Sequence, residues 1–144
     1  MPDRPVREII EGQRPVVANA EITVSAAAQL MRQHHVGAVM ITEGERLAGI
    51  FTERDALFRV IAAGRDPSAT RVADVMTRDP RTISPDRPFG HALHLMYEGG
   101  FRHVPVVENG RLLGMVSARD ALGPDLQQFI GDLETRDHIG EILG

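Results

Sequence analysis

Two short strings carry residue types that could hold a ligand. Thr52-Glu53-Arg54-Asp55 and Ser117-Ala118-Arg119-Asp120 each set a hydroxyl three positions before a carboxylate, and each follows a glycine and two apolar residues. An apolar run ending in a hydroxyl reads as a strand that feeds the first turn of a helix. There the plain use of the pair is a capping box, in which the hydroxyl accepts from a backbone N–H and the acid reaches back to the N-cap amide. A second use is a nucleotide pocket, because a helix N-terminus offers unpaired N–H groups and the positive end of its dipole. A carboxylate there would compete with phosphate for those donors. It suits a neutral diol better, since it can accept from both ribose hydroxyls and leave Thr52 or Ser117 to meet phosphate. The two uses are compatible.

The elements that must position these strings form a repeat. Gly49-Ile50-Phe51-Thr52-Glu53-Arg54-Asp55-Ala56-Leu57 returns 65 positions on as Gly114-Met115-Val116-Ser117-Ala118-Arg119-Asp120-Ala121-Leu122. The register runs upstream without a gap: Ala27, Leu30 and Met31 align with Ala92, Leu95 and Met96, Val39 with Val104, and Leu47 with Leu112. The shared residues are mostly apolar, so the repeat is one of structure first. Each unit reads as helix, strand, turn, strand, helix.

In the first unit Ser25 is the expected N-cap of a helix over 26–35. Strands follow over 36–41 and 47–51, and Thr52 caps a helix that Gly64 stops. In the second unit Gly99-Gly100 ends the first helix, a strand covers 101–107, Asn109-Gly110 makes a hairpin turn, and 112–116 is its partner. Short extended pieces, Val16-Val17-Ala18 and Arg81-Thr82-Ile83, precede the two opening helices. Val72, Val75 and Met76 of the linker, and Val6, Ile9 and Ile10 of the N-terminal segment, are expected to dock on the units. Leu126, Phe129, Ile130 and Leu133 predict an amphipathic helix, which covers this chain's core or a partner's. The division is 1–66, 67–123 and a tail of 124–144.

Composition narrows the function classes. The chain has 144 residues, 42% apolar and 25% charged, with a net charge of −4. That balance argues against a general nucleic-acid binder, which must neutralise many phosphates. There are no cysteines, which excludes disulfides and thiolate metal sites. No apolar run approaches the ~20 residues of a membrane span, and the first residues lack a signal-peptide core. A cytoplasmic protein is expected.

With its two Gly-apolar-apolar-[Thr/Ser]-x-x-Asp strings and the strand Phe101-Arg102-His103-Val104-Pro105-Val106-Val107, the chain resembles a tandem pair of CBS domains, a Bateman module, over roughly residues 5–122. The resemblance implies an α+β fold of two β-α-β-β-α units packed about a pseudo-twofold, with two clefts. It implies AMP, ADP or ATP as ligand, with S-adenosylmethionine or NAD as alternatives, and no required metal. Asp55 and Asp120 would each hold a ribose, with Thr52 and Ser117 near the ribose or α-phosphate. Adenine would lie between Val17 or Thr82 and the strand starts at Gly37-Ala38 or Arg102-His103. Related modules carry their basic pair at the phosphate end. Phosphate would therefore meet Arg102, His103 and Arg119, with Arg54 and Arg81 behind them. The first unit has Gly37-Ala38 where the second has Arg102-His103, so the clefts should be unequal, and the Asp120 cleft is expected to take the basic strand.

Other candidates fall away. His91-x-x-His94 has no third ligand, and no serine stands in a G-x-S-x-G setting. The expectation is a non-catalytic adenine-nucleotide sensor, a homodimer by analogy, acting on an unknown downstream protein. The alternative is a dimerisation scaffold with vestigial pockets.

Overall fold

The computed structural model describes residues 4–123, together with Leu133 and Thr135. Its elements are α1 (Val6–Ile10), β1 (Val17–Ala18), α2 (Val24–His34), β2 (Ala38–Glu43), β3 (Arg46–Thr52), α3 (Glu53–Asp55), β4 (Thr77–Arg78), α4 (Phe89–Gly99), β5 (His103–Glu108) and β6 (Arg111–Ser117). A π-helical segment, Ala56–Ile61, continues α3, and 3-10 turns cover Val72–Asp74 and Ala118–Leu122. The α+β class and the doubled unit are as the sequence predicts.

In the first unit the strands lie in the order β1-β2-β3-β4, with β1 parallel to β2 and the other neighbours antiparallel. The second unit pairs β5 with β6, and Ile83 makes a parallel bridge to Val106 that echoes β1 on β2. Even the irregularities repeat, since the pairing shifts between Ile41 and Thr42 and again between Val106 and Val107. Asn109 and Gly110 both take positive φ, 53° and 79°, as a two-residue hairpin turn demands.

Each unit has its own apolar core, and the segments that close the cores are exchanged. Val72, Val75 and Met76 of the linker join the first core, with Val39, Ile41 and Phe51. Val6 and Ile10 of α1 cross to the second, with Phe89, Val104 and Val116. Backbone bonds fix that crossing: Val6 donates to the Arg87 carbonyl at 2.9 Å and Phe89 to that of Arg4 at 2.7 Å. The Arg7 guanidinium adds Asp86 at 3.1 Å and Glu108 at 2.7 Å.

The exchange explains the glycine that opens each repeat string. On the first unit β4 pairs along β3 at Gly49 and Ile50; a Cβ on Gly49 would stand 2.7 Å from the Thr77 carbonyl oxygen. On the second unit a side chain does the work of β4. The Gln13 amide donates through Nε2 to the Met115 carbonyl at 2.9 Å, and its Oε1 accepts from the Met115 N–H at 2.7 Å. A Cβ on Gly114 would lie 2.6 Å from that Oε1.

One cap differs from expectation. Thr23, not Ser25, caps α2, its hydroxyl accepting from the Ala26 N–H at 3.1 Å. The helix starts earlier because Val24 is drawn into the core and its N–H is tied to the Thr70 carbonyl. Ser25 instead faces the Ser68 hydroxyl at 3.3 Å. Of the expected C-terminal helix, Leu126, Phe129 and Ile130 lie outside the described residues, and Leu133 is helical and exposed.

Candidate functional site

Both strings form capping boxes. At the first, Asp55 Oδ2 accepts from the Thr52 N–H at 3.0 Å and lies 3.2 Å from the Thr52 hydroxyl, which in turn accepts from the Asp55 N–H at 3.2 Å. At the second, Asp120 Oδ2 accepts from the Ser117 N–H at 2.7 Å. The capping use therefore engages one oxygen of each carboxylate. At Asp55 the other oxygen, Oδ1, has only looser neighbours: the Thr77 hydroxyl at 3.4 Å and Arg59 Nε at 3.6 Å.

Asp55 is buried yet lines an open cleft of about 770 Å³, within the range of roughly 300–1,000 Å³ usual for small-molecule sites. Three stretches of chain make it. The end of β3 and the helix after it supply Ile50, Thr52, Glu53, Arg54, Asp55, Leu57, Phe58 and Arg59. The linker supplies Thr77, Asp79, Pro80 and Arg81, and the passage from α4 into β5 supplies Gly99, Gly100, Phe101, Arg102 and His103. The cleft lies at the junction of the two units.

Of the residues singled out by sequence, Thr52, Arg54, Asp55, Arg81, Arg102 and His103 meet in this cleft. Val17, Gly37, Ala38, Thr82, Ser117, Arg119 and Asp120 are outside its lining. Ala38 is fully buried at the start of β2, opposite Thr52, and Gly37 lies under Glu53 and His103. The sequence sets the basic strand at Asp120, and His103 does pair with Ser117 across β5 and β6 and lies within electrostatic reach of Asp120; yet Arg102 and His103 line the cleft of Asp55. The cause is the docking of the units. Arg54 Nη1 donates to the Gly100 carbonyl at 3.0 Å, which fixes the start of β5 against the first unit's helix. Sequence reading missed Arg59, Thr77, Asp79 and the apolar Leu57, Phe58 and Phe101. Thr77 and Asp79 stand just ahead of the extended piece already noted, which was the available signal.

The four arginines are not equivalent. Arg54 is engaged with Gly100, and Arg59 with Asp55 and the carbonyls of Val75 and Met76. The guanidinium groups of Arg81 and Arg102 bond to no other described residue, so they are free to meet an anion. His103 is different again. Burial pushes its imidazole below the usual histidine range; Glu53 and Asp120 pull it up, and Arg102 adds to the depression. It is therefore a neutral donor or acceptor at pH 7 rather than a resident cation. Among the described residues no cluster of His, Asp and Glu has a metal-binding arrangement; His94 Nε2 lies 2.9 Å from Glu98 Oε1 on the exposed face of α4.

Two like units that close a cleft beside a capped carboxylate define a paired, twice-repeated module. The chain belongs to the CBS domain family, whose profile matches residues 6–62 and 72–123. It is 39% identical over 105 residues to the mitochondrial CBS domain-containing protein CBSX3 of Arabidopsis thaliana, covering 69% of this chain and 51% of that one. The chain thus spans about half the length of that curated relative. A CBS-domain protein of Agrobacterium tumefaciens superposes with a TM-score of 0.77 at 30% identity, over 84% of this chain and 92% of the other. A CBS domain protein of Pyrobaculum aerophilum complexed with AMP superposes with a TM-score of 0.73 at 27% identity, over 81% and 88%. No described helix is long and apolar enough to cross a membrane.

Proposed function

We propose that the chain is a non-catalytic sensor of adenine nucleotides, AMP, ADP or ATP, that binds them in the Asp55 cleft. One observation carries this reading: a buried, cap-anchored carboxylate shares a cleft with two guanidinium groups that have no partner among the described residues, Arg81 and Arg102. The carboxylate is suited to a ribose diol and the arginines to phosphate. The AMP complex of the Pyrobaculum relative supports the ligand class. Asp120, with its own capping box, would hold a second and weaker site.

A ligand shifts a conformational equilibrium only by its differential affinity for the two states. The cleft spans the junction of the units, so a bound nucleotide touches both and can bias their packing. Output would pass to a partner protein. Exposed Leu57, Phe58 and Ile61, at 50%, 61% and 66%, lie on one helical segment beside the cleft and support a homodimer through that face. Calorimetric titration with AMP, ADP, ATP, S-adenosylmethionine and NAD tests the reading. Saturable binding of an adenine nucleotide supports it, and no binding by any of them returns the chain to the alternative of a scaffold with vestigial pockets.

A further inference from the structure

Arg59 sits outside both repeat strings, and the repeat register sets Pro124 opposite it. It is nonetheless the side chain that ties the first string to the linker. Its Nε lies 3.6 Å from Asp55 Oδ1, and its Nη1 donates to the carbonyls of Val75 at 3.3 Å and Met76 at 3.1 Å. Those carbonyls immediately precede Thr77, whose hydroxyl is the other neighbour of Oδ1, at 3.4 Å. Oδ2 is already engaged by the cap. The carboxylate oxygen that the cap leaves open is thus neighboured by a guanidinium and by a hydroxyl whose preceding backbone the same guanidinium holds.

We propose that Arg59 is a positioning residue for diol recognition. It aims Asp55 Oδ1 and holds the Val75–Thr77 stretch of the linker to it, so that a ribose seated on Asp55 also sets the position of the linker. The inference rests on the reading of the Asp55 cleft as an adenosine site. Arg59 is about half exposed, so its contact with Asp55 is worth more as geometry than as charge, in line with the small net value of exposed ion pairs. A planar fork can serve a carboxylate and two carbonyls together, whereas an ammonium on a flexible stem is a point charge.

The test compares AMP with 2′-deoxy-AMP by calorimetry on the wild type, Arg59→Met and Arg59→Lys. Wild type should prefer AMP by on the order of tenfold, the scale of one hydrogen bond to a charged group. In Arg59→Met that preference should fall to within about twofold while 2′-deoxy-AMP binds nearly as before. Arg59→Lys should fall between the two, and it carries the test alone where Arg59→Met does not fold. An equal loss of affinity for both nucleotides would mark Arg59 as merely structural and overturn the inference, as would an unchanged preference. A wild type that binds neither nucleotide overturns the adenosine reading and this inference with it.

Discussion

His103 of the second unit lies against Gly37 of the first. A methyl group built on Gly37 would stand 3.4 Å from His103 Nε2 and 3.0 Å from Glu53 Oε1. In the repeat register Gly37 answers to Arg102, Ala38 to His103, and Glu53 to Ala118. His103 therefore packs where the first unit offers only a glycine, so the asymmetry seen in sequence is met by a contact at the junction. The second unit's histidine and the first unit's own Glu53 stand over that glycine, leaving little room for a larger side chain there.

The glycines separate by what surrounds them. Gly49→Ala drives a Cβ onto the Thr77 backbone carbonyl at 2.7 Å, and backbone cannot step aside. Overpacking of this kind costs about 1–3 kcal/mol. Gly37→Ala meets first the far end of an exposed Glu53 side chain, which can move, so its cost should be below about 1 kcal/mol. Urea unfolding of the two variants checks the order; equal losses would contradict the crossed docking of linker on β3.

Gln13 replaces a strand with one amide. Gln13→Ala removes two hydrogen bonds from Met115, each worth roughly 0.5–1.5 kcal/mol net, so unfolding free energy should drop by about 1–3 kcal/mol. Gln13→Glu keeps an acceptor for the Met115 N–H but loses the donor to the Met115 carbonyl, and should not restore wild-type stability. Restoration by glutamate would show that the donated bond contributes nothing.

These contacts mark the boundary of what the sequence can tell. The repeat, the hairpin at Asn109-Gly110 and both capping boxes follow from local chemistry, and local chemistry is written in consecutive residues. Gln13 on Met115 has no periodicity to betray it. The alignment of the units pairs each residue with its own counterpart, Arg102 with Gly37, and is silent on which motif a strand meets when the units dock. The Asp55 cleft is built across that junction, so Arg102 and His103 could be picked out by sequence without their place in that cleft being legible.

His103 gives a pH dependence of definite sign. Its folded-state value is lowered, chiefly by burial, so below its ordinary value of about 6.5 the unfolded chain binds the proton more readily than the folded one. The stability this group contributes is present above that pH and is lost as pH falls through the folded-state value. Denaturation followed from pH 8 to pH 5 should show the loss in wild type and less of it in His103→Gln. A phosphate brought beside the imidazole would raise its value, so nucleotide binding should take up protons and tighten as pH drops from 8 toward 6. Proton release on binding, read from the buffer dependence of the calorimetric heat, would contradict this.

The apolar face beside the cleft should hold a second copy. Ile61 is 66% exposed and does not line the cleft, so Ile61→Glu tests association without touching the ligand site. The expected outcome is a fall in mass from dimer to monomer by light scattering, with the far-ultraviolet circular dichroism unchanged. A wild-type monomer would overturn the expected dimer, and an Ile61→Glu dimer of undiminished affinity would place the interface elsewhere.

On the proposed reading Asp55, rather than Asp120, serves the cleft lined by Arg81 and Arg102. Asparagine keeps a capping oxygen at either position and removes the charge that would receive the ribose hydroxyls. Calorimetric titration of AMP into Asp55→Asn and Asp120→Asn is therefore the direct measurement. Asp55→Asn should lose affinity at the tighter site by on the order of tenfold or more, the worth of a charge-assisted bond, while Asp120→Asn leaves that site as in wild type. The reverse pattern, or wild-type affinity in Asp55→Asn, would contradict the account.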